Sequence, residues 1–153
     1  MFPIPKPELL PNTYAYESGP MVKATGFREY DARWLFGKEI NLMGVQALGM
    51  GLGTLIHELG VRPEIVTGHD FRGYSASIKY ALVSGLLAAG CKVHDIGLAV
   101  TPMAYFAQFA LDVPCVASTP SKILRKRPGP NSTESGRWVV YTGAPGCMPE
   151  VSS

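Results

Sequence analysis

The chain has 153 residues, enough for one domain that buries roughly 68–70% of its unfolded surface if all of it folds. Hydrophobic residues at 46% and charged residues at 17% exclude an intrinsically disordered chain and describe a globular one. The net charge of +2 is too small to argue for nucleic acid or an anionic membrane, and neither is expected as a partner.

Residues 1–22 contain Pro3, Pro5, Pro7, Pro11 and Pro20 with no periodic apolar pattern. They predict an extended arm that lies over the surface or is disordered, and that Tyr14 and Tyr16 could pin down. Proline interrupts the N-terminus before an apolar run can form, so no targeting segment is read there and a cytoplasmic protein is expected. The stretch Phe27-Arg28-Glu29-Tyr30-Asp31-Ala32-Arg33 follows. By itself it reads as a first strand, with Phe27 and Tyr30 anchored in a core and the charges solvated.

A helix is predicted from about Ile40 to Leu59, with Leu48, Leu52, Leu55, Ile56 and Leu59 on one face and Gly60 as C-cap. Asn41, Gln46, His57 and Glu58 deprive it of the unbroken apolar length of a membrane span. The run Gly49-Met50-Gly51-Leu52-Gly53 sits mid-helix rather than at a strand-to-helix turn. It therefore reads as small residues that permit close packing, not as a dinucleotide-binding turn.

Next, Glu64 to Gly68 is a short β-branched run closed by glycine, a buried strand. After the loop His69–Tyr74, Ser75 or Ser77 can cap a helix with Ile78, Leu82, Gly85, Leu86 and Ala89 at helical spacing, ended by Gly90. Cys91 to Ile96 is a second strand. Thr101-Pro102 opens another helix with Met103, Phe106, Ala107 and Ala110 on its apolar face, and Val113 to Ala117 is a third strand. This β-α-β-α-β order predicts an α/β fold, three layers with a mostly parallel mixed sheet and helices on its faces.

Beyond Ala117 the composition changes. Residues 118–153 hold the basic cluster Arg125-Lys126-Arg127, Pro-Gly pairs and scattered serines, and only Trp138 to Tyr141 could form a strand. The expected organisation is an arm over 1–22, an α/β domain over 23–117 and a largely irregular tail over 118–153. Cys91, Cys115 and Cys147 have no metal-ligand spacing, and the first two read as buried free thiols.

In open α/β sheets ligands bind beyond the carboxyl ends of the parallel strands. The loops leaving those ends begin at Gly68, Gly97 and Ser118. Helix starts and an arginine there suit an anion, and a phosphorylated small molecule is the ligand class they favour. His69 lacks a fixed nucleophile or carboxylate partner, His57 and His94 read as peripheral, and Asp70 and Arg72 can pair with each other, cap the next helix or touch ligand.

Phe27–Arg33 resembles the F-R-x-Y-D-x-R opening of the α-D-phosphohexomutases, the phosphomannomutase/phosphoglucomutase group, and Thr67–Arg72 is similar to their V-G-x-D-x-R loop. Gly85-Leu86, Gly90, Val93, Asp95-Ile96-Gly97, Thr101-Pro102 and Tyr105-Phe106-Ala107 continue the family's series in order over about 27–117. The resemblance implies the first domain of a four-domain isomerase of carbohydrate metabolism, an intramolecular phosphotransferase that interconverts hexose 1- and 6-phosphates. It implies a phosphohexose partner, a phosphoserine in a T-A-S-H-N-P loop, and Mg²⁺ held by that phosphate and a second-domain aspartate loop. Tyr30 and Arg33 correspond to cleft residues, Arg33 stabilising phosphate charge and Tyr30 shaping the cleft.

The sequence departs from the family after Ala117, reading Ser118-Thr119-Pro120-Ser121-Lys122 where T-A-S-H-N-P is expected. Ser118 mimics the Ala-Ser pair and Ser121 lies near the expected distance from Thr101-Pro102, so both are weak candidates for the phosphoserine. The expectation is a truncated, frameshifted or fused first domain, catalytically inactive alone and binding no Mg²⁺ itself. The alternative is a non-enzymatic α/β module that binds a phosphosugar or a protein partner, with self-association through exposed surface.

Overall fold

The computed structural model describes residues 8–10, 13–27, 32–119 and 136–142. The N-terminal arm is not extended throughout. Helix α1 (Tyr14–Glu17) is a single turn whose N-cap, Thr13, accepts through Oγ1 from the Tyr16 N–H. Tyr16 pins the arm, being buried with its hydroxyl donating to the Ile40 carbonyl at 3.0 Å, whereas Tyr14 is exposed. Burial, with the neighbouring Glu17 charge, pushes the Tyr16 phenol up to about 12.

Asn41 is a second anchor, which no sequence pattern flagged. Fully buried, it accepts from the Met21 and Gly44 N–H groups through Oδ1 and donates through Nδ2 to the Tyr16 and Gly19 carbonyls. One amide, with its whole bonding capacity used, caps a helix and ties down the arm.

The Phe27–Arg33 stretch is not one continuous strand. Phe27 bridges back to Ala32, only Ala32–Trp34 forms strand β1, and residues 28–31 lie outside the described residues. The reversal is held by Trp34, whose ring meets Phe27 edge-to-face at 5.0 Å and whose Nε1 donates to the Lys23 carbonyl at 2.7 Å.

Helix α2 (Leu42–Glu58) buries Gly44, Val45, Gly49, Gly53 and Ile56; of the predicted face Ile56 is in the core and Leu48 and Leu52 pack against it half-buried, whereas Leu55 and Leu59 are exposed. The cause is α3 (Ser75–Ala88), which crosses so closely that a Cβ on Gly85 would lie on the Gln46 carbonyl and 2.7 Å from the Met50 nitrogen. Gly49 and Gly53 permit the close packing that their mid-helix position implied, whereas Gly51 has nothing within 4 Å of an added Cβ. Gly60 and Gly90, at φ +68° and +83°, follow the two helices in the left-handed region.

Strands β2 (Glu64–His69), β3 (Lys92–Leu98) and β4 (Cys115–Thr119) are parallel, and β5 (Gly136–Thr142) runs antiparallel between β4 and β1, giving the order β1-β5-β4-β2-β3. A strand from the region expected to be irregular thus enters the sheet. Its aromatic and β-branched run, Trp138 to Tyr141, suits a pleated surface, while residues 120–135 and 143–153 lie outside the described residues.

Side chains alternate across the sheet. Ala32, Trp34, Ile65, Cys115 and Ala117 pack with Ile56, Ile78, Leu82 and Leu86 of α2 and α3. On the other face Val66, Val113 and Val116 pack with Ala104 of α4 (Thr101–Ala110). The result is the expected three-layer α/β/α architecture. Cys91 and Cys115 are buried free thiols whose pKa values burial raises; Cys147 lies outside the described residues. Among the described residues no helix is long and apolar enough to cross a membrane.

Candidate functional site

The parallel strands end together. His69 is in register with Leu98 of β3 on one side and Thr119 of β4 on the other, so the loops after β2, β3 and β4 leave a common edge. This is the edge where open α/β sheets hold ligands.

In the loop after β2, Asp70 and Arg72 take the structural option. Asp70 is buried and accepts through Oδ1 from the Arg72 N–H at 3.2 Å and the Ser75 hydroxyl at 2.5 Å, with Arg72 Nη1 3.5 Å from Oδ2. Ser75 therefore fastens the loop to the start of α3 instead of capping it; the N-cap is Tyr74, and Ser77 makes no cap. Likewise Thr101 is the first helical residue of α4 rather than its cap, which is Val100. Phe71 stands 85% exposed at the loop tip.

Two polar atoms at this edge, His69 Nδ1 and Thr101 Oγ1, are buried with no hydrogen-bond partner among the described residues, while buried Arg72 Nη1 has only its ion pair with Asp70. Buried polar atoms are ordinarily satisfied, so these atoms at the end of β2 and the start of α4 mark a place where a polar group belongs. The remaining histidines are peripheral. His57 Nε2 lies 2.9 Å from the Ala89 carbonyl, and His94 Nε2 lies 2.7 Å from Glu64 Oε2, a hydrogen bond that lowers the Glu64 pKa.

Beside the edge, Lys79 is 1% exposed and donates to Asp95 Oδ2 at 2.6 Å, while Asp95 Oδ1 accepts from the Gly97 N–H at 2.8 Å. Burial works against the Asp95 charge, yet the Lys79 and Gly97 hydrogen bonds and the Lys79 charge hold its pKa below the usual value. This pair fixes the turn from β3 toward α4. Sequence reasoning missed it because Lys79 follows Ile78 on a face where only apolar residues were expected.

Of the candidate catalytic residues, Ser118 is at the penultimate position of β4, in register with Gly68 of β2 and Val139 of β5. Alternation from Val116 puts position 118 on the α4 face. Arg33 is exposed and lies between buried Ala32 and Trp34, so it shares that face. Tyr30 and Ser121 lie outside the described residues. The Mg²⁺ implied by the resemblance finds no matching donor set, since no three His, Cys, Asp or Glu side chains converge among the described residues.

The fold and this edge define a class: open α/β domains with polar loops at the carboxyl ends of their parallel strands. The family described as phosphoglucomutase/phosphomannomutase, alpha/beta/alpha domain I, matches residues 24–122. The chain belongs to the phosphoglucomutase/phosphomannomutase family. It is 40% identical over 94 residues to a phosphomannomutase of Escherichia coli, covering 61% of this chain and 20% of that protein. It is 39% identical over 82 residues to a phosphoglucomutase/phosphomannomutase of Thermococcus kodakarensis, covering 53% of this chain and 18% of the relative. The chain thus spans about a fifth of the length of these relatives. A phosphoglucomutase/phosphomannomutase family protein from Burkholderia thailandensis shares the fold, with a TM-score of 0.64 at 24% identity over 81% of this chain and 27% of that one. The family match runs through Lys122, past the compositional break after Ala117.

Proposed function

We propose that this chain binds a phosphohexose at the carboxyl edge of its sheet as the first domain of a hexose phosphate mutase, and that alone it does not turn substrate over. The observation that carries the reading is the register of Ser118 with Gly68 at the end of β4, on the same sheet face as Arg33. Phosphoryl transfer asks a protein for positioning and charge neutralisation more than for covalent assistance. Arg33 would neutralise phosphate charge, Tyr30 would shape the cleft, and Ser118 or Ser121 would be the phosphoryl carrier. His69 Nδ1 and Thr101 Oγ1, which lack hydrogen-bond partners among the described residues, and the Asp70-paired Arg72 guanidinium beside them suit an oxyanion at this edge. The inactivity rests on Thr119-Pro120, which stand where the family motif has His-Asn.

Titration with glucose 1-phosphate and mannose 1-phosphate, followed by NMR, is expected to show saturable binding. A mutase assay with Mg²⁺ and a hexose bisphosphate activator is expected to show no turnover. Turnover would overturn the inactivity, and failure of both sugar phosphates to bind would overturn the binding.

One observation favours a second, non-enzymatic reading in which two copies associate. On α4, Met103, Phe106 and Phe109 are 55%, 72% and 69% exposed, beside an apolar groove of about 390 Å³ lined by Ile96, Ala99 and Pro102. Light scattering that reports a clean monomer up to high concentration would remove it.

A further inference from the structure

We infer that Lys79 is a positioning residue for the ligand edge: from α3 it steers Asp95, and Asp95 holds the bulged end of β3 that delivers Thr101 to a bound phosphate. The inference rests on the phosphohexose reading above and adds to it a residue that acts through others.

The end of β3 is irregular. Thr67 is in register with Asp95 and His69 with Leu98, so a step of two residues on β2 faces a step of three on β3. The extra residue makes a bulge, and a bulge beside a site re-aims the side chains that follow it. Gly97 takes the left-handed conformation there, at φ +71°. Its N–H donates to Asp95 Oδ1 at 2.8 Å, and two residues on the Ala99 N–H donates to the His69 carbonyl at 2.8 Å. The chain is thus pinned at Asp95, Gly97 and Ala99 before Thr101 opens α4, its Oγ1 buried and without a hydrogen-bond partner among the described residues. The Ala99 bond also joins this segment to His69, whose Nδ1 is in the same condition.

The first of these pins depends on Lys79. A carboxylate has two oxygens that can exchange places, and Lys79 Nζ, 2.6 Å from Oδ2, fixes which of them meets Gly97. The Lys79 side chain is 1% exposed and that of Asp95 40%, so without the ammonium water competes for the carboxylate and the Gly97 N–H is released. Stability alone does not call for such a pair, since apolar residues of similar volume serve a fold as well or better. What apolar residues cannot do is orient an acceptor. Asp95 neutralises the ammonium at contact distance, so the effect of Lys79 on a ligand runs through the turn rather than through its charge.

The test uses the full chain, with glucose 1-phosphate and mannose 1-phosphate as probes. In the unmodified chain the Gly97 N–H, Thr101 N–H and Lys79 Nζ–H resonances are expected to move together and saturate at one Kd. The variant that separates positioning from packing is Lys79→Met combined with Asp95→Asn, which leaves no unpaired buried charge and keeps an acceptor at position 95. Its denaturation midpoint should match that of the parent chain, while its Kd for glucose 1-phosphate rises about tenfold, the worth of one hydrogen bond to a charged group. Lys92→Gln, at the other end of β3, should change nothing. A double variant that binds at the parental Kd would overturn the inference and leave the phosphohexose reading standing. So would a saturating sugar phosphate that moves Thr101 but not Gly97 and Lys79 in the unmodified chain, a measurement that needs no substitution. If no resonance responds to either probe, the phosphohexose reading falls and the inference with it.

Discussion

The two faces of the sheet contrast in how they are covered. On one, Trp34, Ile65, Cys115 and Ala117 lie under α2 and α3, which touch through glycine, and Ile56, Ile65 and Leu86 are 0% exposed. On the other, α4 covers Val66 and Val116 but leaves Met103, Phe106 and Phe109 largely in solvent, and Ser118 and Arg33 occupy positions on the same side. Stability is concentrated on the first face and candidate chemistry on the second. The same division appears among the buried polar groups: the Lys79–Asp95 pair is on the α3 side of β3, and His69 Nδ1 and Thr101 Oγ1, without hydrogen-bond partners among the described residues, are at the end of β2 and the start of α4.

The strongest way to break this contrast is at the α2–α3 crossing. In Gly85→Ala the added Cβ meets backbone, the Gln46 carbonyl and the Met50 nitrogen, so no rotamer change relieves it and the helices must separate. A loss of about 3 kcal/mol is expected, at the upper end of overpacking costs. Gly51→Ala is the control on α2 itself, with nothing within 4 Å of its added Cβ. It should stabilise by about 0.5–1 kcal/mol through helix propensity. Chemical denaturation measures both, and equal stability for the two variants would refute the tight crossing.

An intermediate effect is expected at Asp95→Asn. Removing one partner of a fully buried pair costs about 3–5 kcal/mol, and solvent screening at Asp95, whose side chain is 40% exposed, brings the expectation nearer 2 kcal/mol. Because the folded Asp95 pKa lies below the usual 3.8, its contribution is complete above that value and is lost as pH falls through the folded value. The difference in stability between the parent chain and Asp95→Asn should therefore shrink below about pH 4. A difference that stays constant into acid would show that the charge of Asp95 does not carry the effect.

Much of this architecture was legible in the sequence because it was locally encoded. The β-α-β-α-β order followed from β-branched runs, glycine stops and helical periodicity, and the motifs from Thr67 to Ala107 fell on the elements they implied. Three features were not legible, for distinct reasons. The buried face of α2 could be read only in part from its leucines: Leu48, Leu52 and Ile56 pack as expected, but how closely α3 approaches is a property of the pair and favours Gly49 and Gly53 over Leu55. Strand β5 has a β-prone run but takes its place from β1 and β4, far away in sequence. Asn41 and Lys79 are polar residues satisfied by groups distant in the chain, and composition gives no sign of such partners. The candidate site was readable as far as its edge, and the common end of β2, β3 and β4 required the ladders.

The smallest effect on stability, and the sharpest separation of the faces, is expected from Phe106→Gln. Phe106 is 72% exposed, so its truncation removes little buried surface and should change unfolding free energy by no more than about 0.5 kcal/mol. Leu82→Ala, on the sealed face at 3% exposure, should cost about 2–5 kcal/mol. If the α4 surface brings two copies together, the same Phe106→Gln change should lower the scattering mass toward that of a monomer while leaving the denaturation midpoint at low concentration unmoved. A Phe106→Gln variant that loses as much stability as Leu82→Ala would mean that α4 is packed as tightly as α3, and the contrast between the two faces would no longer hold.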